Sequence, residues 1–201
     1  MKQYQVPSIQ GEFYGVQELQ DMGITLPKNP KGIFISKKAS LYNAHLMTVN
    51  NYVRIDDFCY IHGNIMIGSF VHICAFVLIS GGGNKVTLED FVTIAPRASI
   101  FTASDDYLGE TLTNSLMMAE FRNNMDISNI ILKKHSIVGA SSVILPTSHG
   151  LEEGVSVGAM SVLKSPTNSF GVYCGIPARR IAERKKNLLD LERKFLSAYV
   201  F

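Results

Sequence analysis

A period of six constrains this chain more than any other feature. Aliphatic residues recur at every sixth position through Val49, Ile55, Ile61, Ile67, Ile73 and Ile79, and a companion follows each four places later at Val53, Cys59, Ile65, Val71, Val77 and Gly83. The pattern resumes at Leu88, Ile94 and Ile100, then at Leu132, Val138 and Ile144, then at Leu151, Val157 and Leu163. Val92, Ala98, Ser136, Ser142, Ser148, Val155 and Ser161 take the companion places there. A helix repeats its apolar residues every three to four positions and a half-buried strand every two, so neither explains the pattern. Six residues make one short strand and one turn. Three such units close a triangular coil, and coils stack at the inter-strand spacing of roughly 4.8 Å. Pairs such as Asn50-Asn51, Asp56-Asp57, Gly68-Ser69 and Glu89-Asp90 suit the corners. The expected fold is an all-β solenoid, a parallel β-helix in which each coil touches only its neighbours. The period does not set its hand.

Two interruptions break the ladder. Its phase slips by three at Ser80-Gly81-Gly82-Gly83-Asn84-Lys85, and a long insertion separates Ile100 from Leu132. Filled ladders leave no room inside, so insertions loop outward and commonly carry the binding surface. The flanks read as helices. Tyr14 to Met22, stopped by Gly23, would shield the first coil, while a longer helix is expected from Pro177 to about Tyr199 with Ile181, Leu188, Leu191, Phe195 and Tyr199 on one stripe. The chain thus divides into a cap segment over 1–30, a β-helix domain over 31–165 with a protruding loop at 102–130, and a C-terminal loop and helix over 166–201.

Bulk properties exclude several classes. The chain has 201 residues, 46% of them apolar, which suits one sizeable core. A net charge of +2 lacks the basic excess of a nucleic-acid binder. Met1 to Gln10 has no signal-peptide pattern and the longest apolar run, Ile73 to Ile79, is too short to span a bilayer, so a soluble, cytoplasmic protein is expected. Cys59, Cys74 and Cys174 show no metal or disulfide spacing and read as ordinary buried or half-buried thiols.

At this point the residues resemble the hexapeptide-repeat acyltransferases. The repeats run from about Ile35 to Lys164, a loop leaves one side of a coil, and Val157 to Lys164 followed by Gly175-Ile176-Pro177-Ala178-Arg179 looks like that family's closing signature. The resemblance implies a left-handed β-helix, a homotrimer with sites between subunits, and an acyl-CoA donor such as acetyl-CoA, with no metal. Arg54-Ile55-Asp56-Asp57-Phe58, Ser80-Gly81-Gly82-Gly83 and Ser104-Asp105-Asp106-Tyr107 are similar to the short nucleotide-sugar N-acyltransferases acting on dTDP-linked 4-amino-4,6-dideoxy sugars. That branch implies a nucleotide-sugar acceptor and a place in surface polysaccharide (lipopolysaccharide) biosynthesis.

The galactoside and maltose acetyltransferases carry a His-Pro pair at the mouth of the loop, where the histidine deprotonates a hydroxyl. Counting from Ile100, Asp105 stands at the histidine and Asp106 at the proline. A carboxylate of pKa about 4 is a weak base for an alcohol. A neutral amine is already nucleophilic, and a carboxylate need only orient it and accept its proton after attack. The exchange favours an amino acceptor over a hydroxyl, with Asp105 as proton acceptor, Asp106 second and His72 third. The bland reading is that both aspartates cap a loop turn, and that His72 is a hydrogen-bonded interface residue. His62 is weaker, and His45, His135 and His149 show no legible acid partner.

On the donor side, the resemblance places Ala140, Ser141 and Ala159 along the pantetheine arm and Lys164, Arg179 and Arg180 near the phosphates, with Arg184 and Lys185 extending the basic cluster. Two other classes compete with the amine reading: a sugar O-acetyltransferase and a non-enzymatic trimeric scaffold. The γ-carbonic anhydrases, which share the fold, need a close histidine pair that His62 and His72, ten residues apart, do not supply.

Overall fold

The computed structural model describes residues 2–6 and 8–200; Met1, Pro7 and Phe201 lie outside the described residues. The six-residue period becomes a stack of coils. One face is an eight-stranded sheet running in order through Ile33–Ile35, Val53–Ile55, His72–Ile73, Thr93–Ile94, Ile137–Val138, Ser156–Val157, Gly171–Gly175 and Ala178–Glu183. Every pairing is parallel except the last. The other two faces merge into a nine-stranded sheet because Tyr60–Ile67 and Leu78–Leu88 run unbroken round a corner.

The ladder residues Ile61, Ile73, Ile79, Leu88, Ile94, Ile100, Leu132, Val138 and Ile144 are all 0% exposed, so the aliphatic column read from the sequence is the core. Companion serines fit because they are small, and two of them satisfy their hydroxyls on the coil backbone: Ser142 donates to the Gly158 carbonyl and Ser148 to that of Leu145, both at 2.7 Å, whereas the buried Ser136 hydroxyl has no partner among the described residues. The phase slip is a bulge. His62 pairs with Ser80 and Asn64 with Lys85, so four residues oppose one, and the three extra account for the slip. Gly83 is exposed there and Val86 takes the interior place. Gly63, at φ 100°, lies opposite; a Cβ on it would meet the Gly82 carbonyl oxygen at 2.9 Å.

Coil corners are built from left-handed residues that carry side chains. Tyr52, Phe70, Phe91 and His135 share φ values of 58–62° at one corner. Their rings stack at 4.8, 4.9 and 5.0 Å between centroids. That separation is the coil rise itself, so stacking offsets the backbone cost of the conformation at every level.

The flanks depart from expectation at the C-terminal side. Helix α1, Val16–Asp21, forms with Leu19 0% exposed under the first coil, and the Gly15 N–H donates to Glu18 at 2.6 Å. Helix α2 spans only Asn187–Ala198, ten residues later than Pro177. Pro177 follows a cis bond in the turn of a hairpin, and Ala178–Glu183 pairs antiparallel with Gly171–Gly175 to cover the end of the sheet. Ile181 therefore leaves the helix stripe and is 65% exposed. Helix α2 lies on its own coil stack: Phe195 meets Phe70 edge-on at 5.4 Å, and Glu192 binds His135 at 2.7 Å and Lys134 at 2.5 Å.

Candidate functional site

The protruding loop leaves the coil at Thr102, whose buried hydroxyl donates to the Ser80 and Gly81 carbonyls at 3.0 and 2.8 Å. Its stem is a short antiparallel ladder between Ala103–Ser104 and Asp126–Ile127. Asp105 and Asp106 follow this stem directly, and the two carboxylates meet different surroundings.

Asp106 accepts hydrogen bonds from the backbone N–H groups of Leu108 at 2.8 Å, Gly109 at 3.3 Å and Thr111 at 2.8 Å. The Leu108 and Thr111 bonds lead in holding its carboxyl below the ordinary range. Asp106 is thus the turn-capping residue that the bland reading described. Asp105 is half-buried, and its Oδ1 is a buried oxygen with no hydrogen-bond partner among the described residues. A buried acceptor without a donor is costly, and it suits a site where a ligand N–H completes the bond. Arg122, on the returning limb, has its Nε buried and unpartnered in the same way.

His72 lies on the eight-stranded sheet, whereas Asp105 follows the two-stranded stem of the loop; no hydrogen bond joins the two among the described residues. Around His72 the side chains of adjacent coils converge. Its Nε2 lies 2.9 Å from Asp56 Oδ2, while Arg54 Nε donates to Asp56 Oδ1 at 2.6 Å. The Cys74 sulfur sits 3.7–3.8 Å from the ring nitrogens. Asp56, His72 and Cys74 offer ligand atoms within 4.8 Å of one another. Both Asp56 oxygens are already engaged, however, and burial and then Asp56 push the Cys74 thiol up rather than toward the thiolate a metal needs. Cys59 is buried and its thiol is pushed up to about 11, chiefly by desolvation, as expected of an inert core cysteine.

Ala140 and Ser141 turn the corner after Val138, and Ala159 lies one coil above. The Met160 N–H donates to the Ala140 carbonyl at 2.8 Å. A Cβ on Gly139 would fall 2.5 Å from the Ala159 nitrogen, so the backbones of these two coils are in contact there. Lys164 is exposed and makes no ion pair among the described residues; its carbonyl takes the Thr147 hydroxyl at 2.8 Å. Arg179 is exposed on the terminal hairpin, and Arg180 makes only a loose 3.8 Å pair with Glu183. Arg184 does not extend this cluster. Its guanidinium turns inward to the carbonyls of His135 at 2.7 Å and Gly154 at 3.2 Å.

The His135–Glu192 pair was not legible in the sequence, because 57 residues separate its members and only the docking of α2 unites them. The alternation of Arg54, Asp56, His72 and Cys74 was a better signal: these residues are the outward places of two successive coils.

No protein-family model matches the chain. The chain is 38% identical over 182 residues, 89% of its length and 92% of the other's, to a dTDP-4-amino-4,6-dideoxy-D-glucose acyltransferase of Escherichia coli. Among solved structures, the N-acyltransferase AntD of Bacillus cereus with dTDP and 3-hydroxybutyryl-CoA superposes at a TM-score of 0.89 with 38% identity, covering 94% of this chain and 98% of that one. A variant of AntD with dTDP-4-amino-4,6-dideoxyglucose and coenzyme A gives 0.89 with 39% identity over 94% and 100%. A galactoside acetyltransferase in complex with coenzyme A, at 18% identity and 0.55 over 85% of this chain and 70% of that one, shares the fold alone. The chain is a left-handed parallel β-helix and belongs to the hexapeptide-repeat acyltransferases, in the branch of the dTDP-amino-dideoxyglucose N-acyltransferases.

Proposed function

We propose that the enzyme transfers an acyl group from an acyl-CoA, such as acetyl-CoA, to the amino group of a dTDP-linked 4-amino-4,6-dideoxy sugar. The observation that carries this reading is identity of 37–39%, sustained along nearly the whole chain, to proteins named for that transfer or solved with its reactants. The neutral amine attacks the thioester carbonyl, a C–N bond forms, and the tetrahedral intermediate expels the coenzyme A thiolate as the C–S bond breaks. The proton lost by nitrogen passes to Asp105 and on to the departing sulfur, leaving an amide and free coenzyme A. Support for Asp105 comes from its buried, unpartnered oxygen at the loop mouth. Asp106 holds the loop in shape, and His72 faces the acceptor from a neighbouring subunit of a homotrimer.

Ala140, Ser141 and Ala159 border the pantetheine arm, and Lys164, Arg179 and Arg180 meet the phosphates. The exposed, weakly paired state of those basic residues supports this placement. No helix among the described residues is long and apolar enough to cross a membrane, and a cytoplasmic role in lipopolysaccharide assembly fits a nucleotide-activated substrate. The test is mass spectrometry of the reaction between acetyl-CoA and dTDP-4-amino-4,6-dideoxyglucose. Release of coenzyme A with acetylation of the sugar amine supports the reading; an unchanged sugar contradicts it.

A further inference from the structure

We infer that Arg122 is a second catalytic group of the protruding loop, whose guanidinium stabilises the negative oxygen that forms when the amine attacks the thioester. This rests on the reading that the chain acylates an amine. Three buried side-chain atoms have no hydrogen-bond partner among the described residues, and two of them, Asp105 Oδ1 and Arg122 Nε, belong to this one loop. One is a strong acceptor and the other a strong donor, and a buried group left without a partner calls for a reason. The two residues carry opposite charges, yet these atoms do not pair with each other.

The loop does not need the Arg122 side chain to hold its shape. Its root is tied by the Thr102 hydroxyl to Ser80 and Gly81, and by the Lys85 N–H to Asn129 Oδ1 at 2.9 Å. Farther out, the Leu112 N–H donates to the Phe121 carbonyl at 2.8 Å and the Asn124 side-chain amide donates to Glu110 at 3.3 Å. Arg122 falls between these last two ties, so the returning limb runs beside the outgoing one at its position. A short turn sets its backbone, with the Arg122 N–H on the Ala119 carbonyl at 3.1 Å. Below, the stem pairs Ser104 with Asp126, and Asp105 directly follows Ser104. The two unpartnered groups thus stand on the two limbs of one tied loop, above its stem.

Amine attack on a thioester builds two charges at once. The nitrogen lone pair forms the C–N bond, the carbonyl π pair moves onto oxygen, and the tetrahedral intermediate carries both N–H⁺ and O⁻. A carboxylate answers the first charge and a fixed cation the second. Asp105 takes the proton, and Arg122 donates its Nε–H to the oxygen. The C=O then reforms, the C–S bond breaks, and the coenzyme A thiolate takes the proton from Asp105. An arginine suits this task because its donors form a rigid, permanently cationic plane. A donor already out of water acts on the developing charge without having to be desolvated during the reaction.

Steady-state kinetics with acetyl-CoA and dTDP-4-amino-4,6-dideoxyglucose test the assignment in wild type, Arg122→Gln and Arg122→Lys. Thermal midpoints verify folding, light scattering follows the assembly, and calorimetry gives the affinities for coenzyme A and dTDP. Arg122→Gln is expected to lower kcat by about 10² to 10³, the usual effect of losing one oxyanion donor. Both KM values and both affinities should hold, because the oxygen becomes negative only on the way through the transition state. Arg122→Lys keeps the charge and should recover part of the loss, which also keeps the test open where the Gln variant folds poorly. Fluoroacetyl-CoA, whose fluorine draws charge off the oxyanion, should show a smaller loss in Arg122→Gln than acetyl-CoA does; equal losses with both donors would mark a merely structural role and overturn the assignment. Full activity in folded Arg122→Gln overturns it as well, as does weaker coenzyme A or dTDP binding at unchanged kcat, or a changed assembly. In all these cases amide formation by the wild type leaves the proposed function standing, whereas a wild type that forms no amide overturns that function itself.

Discussion

Asp106 gives both carboxylate oxygens to the loop at Leu108, Gly109 and Thr111, whereas Oδ1 of its neighbour Asp105 is buried without a partner among the described residues. Replacing Asp105 with Asn should therefore lower kcat by about 10² to 10⁴, the usual contribution of a general base, with coenzyme A affinity intact. The residual activity should rise with pH as the substrate amine deprotonates. Loss of activity in His72→Asn alone, with full activity in Asp105→Asn, would move the base to His72. Asp106 is expected to act through the loop. Its folded pKa is depressed by the Leu108 and Thr111 N–H groups, so its stabilisation is present above the unfolded carboxyl pKa and is lost as pH falls through the folded value. Limited proteolysis should accordingly cut the loop faster at acid pH in wild type, and at neutral pH in Asp106→Asn; equal cutting at both pH values contradicts the clamp. Counting from Ile100 put both aspartates at the loop mouth, but the sequence could not rank them, because the ranking depends on which carboxylate the loop backbone turns toward.

Helix α2 shows where local pattern gives way to long-range pairing. An apolar stripe and a helix-compatible Pro177 argue for a helix from Pro177 onward. The segment Ala178–Glu183 instead finds an open strand edge at Gly171–Gly175, a partner that periodicity cannot reveal. What remains of the helix docks through Phe195 on the corner aromatics and Glu192 on His135 and Lys134. Burial raises the Glu192 carboxyl, but hydrogen bonds from Lys134 and His135 together outweigh it and hold it below its ordinary value. Its contribution to docking is then present above the unfolded carboxyl pKa and fades as pH falls through the folded one. Hydrogen exchange should show the amides of 187–198 losing protection in Phe195→Ala, and in wild type on acidification, while those of Ile73 and Ile94 stay protected. Simultaneous loss along the whole coil stack would mean that α2 and the solenoid unfold as one unit.

The repeat fixes the molecule as a whole, because every ladder residue is a core residue and each coil is the template for the next. Ile79→Ala, between Ile61 and Ile100 in the column, should cost about 2–5 kcal/mol in chemical denaturation. The assembly is proposed as a trimer, and light scattering should give about three times the 22.2 kDa of one chain. Within it, Lys164→Ala and Arg179→Ala should each weaken coenzyme A binding by about 1.5–3 kcal/mol while the acceptor constant holds; unchanged donor affinity in the double variant would put the phosphates elsewhere. The central claim is amine acylation by a site that has a carboxylate where its hydroxyl-acylating counterparts have imidazole. The most direct test is to offer acetyl-CoA with a matched pair of dTDP-linked 4,6-dideoxy sugars that differ only in an amine or a hydroxyl at C4. The account predicts a hydroxylamine-stable amide from the first and no measurable product from the second; an ester formed from the hydroxyl sugar with an equal or higher kcat/KM would contradict it.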